Sequence, residues 1–447
     1  MRRTSILALL LSFTLSLSFA QTPDSTKTDS VKIKKFDADL PLKPERTIGL
    51  SAKKGSWISL DVSPDGKTIV FDLMGDLYTM PISGGKADTL TRGMAYDVHP
   101  KFSPDGKSIV YISDRSGADN VWTMDLATKE KKQISKEEDQ YFPNADFTPD
   151  GKYLIASKGR RNHKLVMYHV DGGGGVELIS EPKNLKTIDP AVSPDGRYIY
   201  FSRRIGAWNY NAQLPQYSIG VYDREDASVN TYATRYGSAF TPTLSPDGKF
   251  MVYGTRYEDK TGLILRNLSN GDESWLAFPV QRDEQESIAP LGVLPAMSFT
   301  PDSKFLVASF GGEINRVEIS TGKITNIPFE VESELHFGPK VEFDYPIEND
   351  AELLVTQIRD AVVSPDGKKL AFTALNRLYY QDLPNGTPVK LTDFDYTQAN
   401  LTWSPDGKYI AFVTWKEQEG GHLYKIEAKK KATPQHLTQE AALYYQP

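Results

Sequence analysis

Six histidines are the first residues to ask for chemistry: His99, His163, His169, His336, His422 and His436. No two of them stand as His-x-His or His-Glu-x-x-His, the spacings that set two imidazoles on one metal. His99 lies three residues before Phe102 in a strand-like stretch and reads as structural rather than as a ligand. No Gly-x-Ser-x-Gly nucleophile elbow, Gly-Lys-Ser/Thr phosphate loop or Asp-rich calcium loop occurs. The chain contains no Cys, which excludes disulfides, thiolate catalysis and Cys-ligated metal centres. "DGGGGVE", Asp171 to Glu177, is Gly-rich but reads as a hairpin turn. These residues therefore assign no catalytic, cofactor-binding or metal-ligating position.

Carboxylates are more promising at first sight. An Asp recurs in "SPDGK" or a close variant at Ser63, Ser103, Thr148, Ser193, Ser245, Thr300, Ser364 and Ser404. An active site does not recur once per repeat, so turn chemistry explains these side chains better. One insertion stands apart. "SRRIGAWNYNAQLPQYS", Ser202 to Ser218, carries Arg203, Arg204, Trp208 and Tyr210. That mixture suits an interface, over a channel mouth or against a neighbouring domain, although a self-packed surface loop would also contain it.

The elements behind these residues are legible in the repeat itself. The eight copies are separated by 40, 45, 45, 52, 55, 64 and 40 residues, and such a period announces a repeat architecture. Pro presets the first corner of a turn, Asp bonds its own backbone, and Gly takes the left-handed position. The residue before each Ser/Thr is apolar, from Val62 and Phe102 to Trp403, and so are most residues two positions earlier. The positions between are mostly polar or small, a period of two that predicts a strand. An apolar run comes after each turn, then a third strand such as "LYTM" at Leu77, then a fourth ending near Leu90 or Leu391. Four short antiparallel strands per repeat predict an all-β chain built as β-propeller blades.

Residues 1–20 read as a secretory signal peptide: Arg2 and Arg3, an apolar run from Ile6 to Phe19, and a small-x-small site that predicts cleavage after Ala20. A membrane anchor is the competing reading. No other stretch is long and apolar enough to span a bilayer, so no membrane association is expected after cleavage. The expected location is the periplasm or the exterior, as a secreted protein. The whole chain has 52 basic and 58 acidic side chains, and losing Arg2 and Arg3 moves its net charge from −6 to −8. No basic stripe is present, so nucleic acid is not an expected partner. Residues 21–39 predict a flexible leader.

A slower echo divides the rest. In the copies at Ser63 and Ser364 the third strand begins 14 residues on and the next turn comes 40 residues on, and both come after long lead-ins. The seventh repeat thus looks like a second first repeat. The expectation is a six-bladed ring over residues 40–335 and the first two blades of a second, incomplete propeller over 336–447. Arg46 to Ser51 is the candidate strand for closing the first ring. A single ring of eight or more blades is the competing account. The final "LTQEAALYYQP" repeats the lead-in "ISKEEDQYFP", which predicts a ninth turn beyond Pro447 and a chain that is a fragment.

These repeats carry a resemblance. "KFSPDGKSIVYISDRSGADNVWTMDL", Lys101 to Leu126, is similar to blades of periplasmic TolB and its relatives. Longer stretches, among them "FDYPIENDAELLVTQIRDAVVSPDGKKLAFTALNRLYYQDLPNGTP" and "AFVTWKEQEGGHLYKI", resemble the propeller region of large secreted bacterial amidohydrolases. The resemblance implies a metal-dependent barrel downstream of the propellers, holding a divalent metal, zinc by preference. This chain would then be non-catalytic, gating or scaffolding that downstream catalytic domain. Two alternatives stay open: a TolB-like module binding a peptide or envelope protein, and a propeller gating a serine peptidase. The three differ in the sequence expected after Pro447: a His-x-His strand, no catalytic domain, or a Gly-x-Ser-x-Gly elbow.

Overall fold

A strand that alternates apolar and polar side chains can bury one face, and a Pro-Asp-Gly corner returns the chain to pair with itself. In the computed structural model every copy of the turn does this. Residues 43–206, 213–285, 292–340, 342, 344–347 and 349–447 are described. The expected signal peptide and the leader at 21–39 lie outside the described residues, as do Trp208 and Tyr210. No α-helix occurs among the described residues, and the fold is all-β. Blade 1 pairs Leu60–Val62, Thr68–Leu73, Asp76–Pro81 and Asp88–Thr89 in chain order, from inner strand to outer. Seven further four-stranded sheets repeat that order among the described residues.

Each turn is held by its first and third residues. Ser63 Oγ donates to Asp65 Oδ1 at 2.6 Å, and the Lys67 amide donates to the same oxygen at 3.0 Å. The Thr68 amide closes the corner on Ser63 Oγ at 3.0 Å. Hydrogen bonding from Ser63 holds the Asp65 carboxyl below its ordinary range. The same bonds recur at Asp105, Asp195 and Asp406. The turn carboxylates are therefore committed to their own backbone. In the sixth copy Ser303 replaces Gly and still takes φ 59°.

The chain divides into two compact units, residues 1–341 and 342–447. In the first unit six blades succeed one another around a central cavity, and blade 6 packs on blade 1. Val62, Ile69 and Phe71 of blade 1 share a core cluster with Val307 and Ile314 of blade 6. The Val62 amide donates to Ser298 Oγ at 3.2 Å, and the Gly55 amide to the Gly312 carbonyl at 2.9 Å. Arg46–Ala52 does not enter a blade. It pairs antiparallel with Phe329–Phe337, and Gly85–Lys86 adds a third, parallel strand. The two ends of the unit are thus clasped outside the ring, because blade 6 already owns four strands between Ser298 and Ile327. A Cβ on Gly84 would stand 2.3 Å from the Pro328 carbonyl oxygen, so only Gly admits this approach.

The second unit contains two blades. Ile358–Val363, Lys369–Ala374, Arg377–Asp382 and Val389–Lys390 form blade 7. Thr397–Trp403, Tyr409–Trp415, Leu423–Glu427 and Gln435–His436 form blade 8. Their shared core joins Ala371 and Leu378 to Trp403, Ile410 and Phe412.

Candidate recognition site in the central cavity

Innermost strands decide what faces the middle of a ring, and here three of the six are irregular. Pairing slips between Val98 and Lys101, between Ile188 and Ala191, and between Phe240 and Thr243. At each slip one residue turns left-handed: His99 at φ 55°, Asp189 at φ 55° and Thr241 at φ 53°. Such angles are uncommon for His and costly for a β-branched Thr, so neighbours must hold them. Those neighbours are side chains. The His99 amide donates to Asp72 Oδ2 at 2.8 Å and the Thr241 amide to Ser202 Oγ at 2.7 Å. The Asp189 amide donates to Asn144 Oδ1 at 3.2 Å.

Asp189 itself laces three blades together. It accepts from Asn144 Nδ2 at 2.6 Å, Ser202 Oγ at 2.8 Å and Thr241 Oγ1 at 3.1 Å. Burial pushes its carboxyl up, and the hydroxyl and amide donors oppose that shift. Asp72 is pushed up to about 7 by the same burial, although it receives the Ser59 and His99 amides.

Beyond the slips, the residue two before each turn points into the cavity. In blades 1, 2 and 3 these are Asp61, Lys101 and Asp146, whereas blades 4, 5 and 6 place Ala191, Thr243 and Ser298 there. Lys101 Nζ lies 3.5 Å from Asp61 Oδ1 and donates to the Met297 carbonyl at 3.1 Å. Asp61 Oδ2 also accepts the Phe102 amide at 2.8 Å. Asp146 is raised to about 6, chiefly by burial, with the Lys101 charge opposing and the Asp61 charge assisting. His99 is buried beside them, and neither of its ring nitrogens has a protein partner. Burial, aided by Lys101, lowers its pKa to about 4, so it is neutral at physiological pH. The cavity has a volume of about 380 Å³ and is rimmed by turn prolines such as Pro64, Pro104 and Pro301. An ammonium paired with one carboxyl, in a cavity that a second carboxyl also lines, can bind polar groups of a ligand through hydrogen bonds and charge, whereas the His99 ring nitrogens are too deeply buried to reach it.

Sequence alone does not single these residues out. His99 reads as structural, and Asp61, Lys101 and Asp146 fall at positions that alternation marks only as polar or small. The one available signal is that three successive repeats carry a charge at that position and the others do not. Arg203 and Arg204 stand not in the inserted loop but at the end of the strand Tyr198–Ile205. Arg204 is buried with its guanidinium 5.4 Å from the centre of the Tyr217 ring, and Arg203 donates to Thr231 Oγ1 at 2.9 Å. The other two members of that group, Trp208 and Tyr210, lie outside the described residues. His422 and His436 meet edge to face with ring centres 4.4 Å apart. No group of three or more His, Asp or Glu side chains able to hold a metal occurs among the described residues.

A family model described as the TolB beta propeller domain matches residues 7–214. Over 140 residues the chain is 31% identical to dipeptidyl-peptidase 5 of Porphyromonas gingivalis, covering 27% of this chain and 19% of that protein. Over 199 residues it is 28% identical to the Tol-Pal system protein TolB of Francisella tularensis subsp. holarctica, covering 43% of each. The crystal structure of TolB from Acinetobacter baumannii aligns at a TM-score of 0.47 and 18% identity, covering 62% of this chain and 67% of that one. The match to either curated relative thus spans less than half of that relative's length. The chain carries a TolB-like β-propeller.

Proposed function

We propose that this chain is the propeller region of a larger exported hydrolase acting on C–N bonds, of the secreted amidohydrolase kind. In this reading the central cavity selects and holds a peptide-like substrate and does not cleave it. The observation that carries the proposal is the trio Asp61–Lys101–Asp146, which brings charge from three consecutive blades to one side of the cavity. These partly buried charges cost desolvation that their partners within the ring and a ligand's polar groups can together offset. The likeness to a dipeptidyl-peptidase supports an amide-type substrate, and the signal-like residues 1–20 support export to the periplasm or beyond. The described residues do not make a zinc site. In this reading the metal of the hydrolytic centre belongs to a domain outside them.

A second reading is favoured by the stretch similar to TolB: a module that binds a peptide or envelope protein and has no catalytic domain. Both readings require the cavity to bind extended polypeptide. Calorimetric titration with tri- to hexapeptides tests this, comparing the unaltered chain with Lys101→Met. A charge-assisted hydrogen bond contributes about 1.5–3 kcal/mol, so Lys101→Met should weaken binding roughly ten- to a hundredfold. No binding at millimolar peptide, or equal binding by the variant, would refute the assignment.

A further inference from the structure

The turns meet one another in a regular pattern, and among the described residues the turn at Gly367 meets no partner. A Cβ built on Gly66 would lie 3.3 Å from Pro301 Cδ, and one on Gly106 would lie 3.4 Å from Pro64 Cδ. Gly151, Gly196 and Gly248 face the preceding blade's proline in the same way, and Gly407 faces Pro365 at 3.7 Å. Gly367 has a similar left-handed φ of +72°, yet among the described residues nothing lies within 4 Å. The residue before the turn repeats the contrast. Val62 is 6% exposed, Phe102 8% and Trp403 8%, whereas Val363 is 51% exposed. On the opposite side of blade 7, Ala371 and Leu378 are fully buried against blade 8. One face of this sheet is covered by its successor; on the other, Phe372 is buried, and the open part is the turn end at Val363 and Gly367.

The cover on that face elsewhere is constant in kind. Phe102 packs on Val70 and Leu77, Val62 on Val307 and Ile314, and Trp403 on Ala371 and Leu378. Each pair stands 7 and 14 residues after the Ser or Thr of the covering blade's turn. We propose that the open turn end of this face of blade 7, at Val363 and Gly367, is the docking surface for a further blade of this repeat type, supplied by the same polypeptide outside these residues. That blade presents Val or Ala at the seventh position and Leu or Ile at the fourteenth to Val363, and its turn proline to Gly367. The inference rests on the reading of the chain as part of a larger protein, and it does not depend on what the cavity binds. Burying apolar surface drives the contact, as at the joints already formed.

The chain has no Cys, so a single introduced thiol reports on the face directly. Maleimide labelling rates are compared for Val363→Cys and for Val62→Cys, both in the 447-residue chain and in the product of the complete reading frame. In the 447-residue chain V363C should react at least about tenfold faster than V62C, because a covered joint must open before it reacts. In the complete product its rate should fall to that of V62C. Hydrogen exchange of the 358–363 amides in unsubstituted protein makes the same comparison without a substitution. An unchanged V363C rate in the complete product, or a reading frame that ends at Pro447, overturns the proposal. Protection in the 447-residue chain that grows with protein concentration also overturns it, naming a second copy as the cover. Peptide binding at the cavity is read separately, so a failure there leaves this result standing.

Discussion

Replacing Asp189 with Ala removes the acceptor that three side chains share: Asn144 Nδ2, Ser202 Oγ and Thr241 Oγ1. The Asn144 amide borders the cavity and can turn to water, so the two buried hydroxyls carry most of the loss. A buried donor left unpaired costs about 1–3 kcal/mol, so the two hydroxyls put Asp189→Ala at about 2–6 kcal/mol. Asp189→Asn keeps an acceptor and tolerates φ 55°, so its loss should be about half as large. The effect has a pH signature. Burial raises the folded pKa of Asp189 above its ordinary value of 3.8, so its contribution is fully present below about pH 4 and declines as pH rises through the folded pKa. Asp189→Ala should therefore cost more at pH 5 than at pH 8. Urea unfolding of the first unit, monitored by tryptophan fluorescence at both pH values, measures this. A loss below about 1 kcal/mol, or one that grows with pH, would refute the idea that Asp189 holds blades 3, 4 and 5 in register.

Three further outcomes are expected. Gly66→Ala meets both a left-handed φ of +71° and Pro301 at 3.3 Å, and should destabilise by about 1–2 kcal/mol. Gly367→Ala, with the same φ and open space, should cost less, and thermal unfolding of the two variants compares them. The Asp146 carboxyl should titrate near pH 6 by carbon-detected NMR, and Lys101→Met should move the midpoint higher by removing the charge that opposes burial. A midpoint near 4 in the unaltered protein would contradict its placement in the cavity. Exported protein should begin at Gln21, and mass spectrometry that finds Met1 retained would remove the signal-peptide assignment.

The turns and strands are legible in the sequence because their causes are local. A few consecutive residues suffice to make Ser63, Asp65, Gly66 and Thr68 bond one another, and the alternation around Val62 or Phe102 shows which face is buried. All-β architecture comes from repeating such units, since no blade can bury both faces alone. The partner of Arg46–Ala52 is not legible, because a clasp to Phe329–Phe337 joins residues nearly 300 positions apart and leaves no local pattern. Nor is the fate of Arg204, whose charge suggests a surface loop until the strand's register turns it onto Tyr217. The cavity shows the divide most clearly. Asp61, Lys101 and Asp146 occupy one repeat position that alternation labels merely polar, and on an isolated blade each would face water. Only when blade 6 meets blade 1 does Lys101 find the Met297 carbonyl, 196 residues away. Ring closure gathers these partly buried charges around one cavity, where burial raises the Asp146 carboxyl, and no local pattern in the sequence records that gathering.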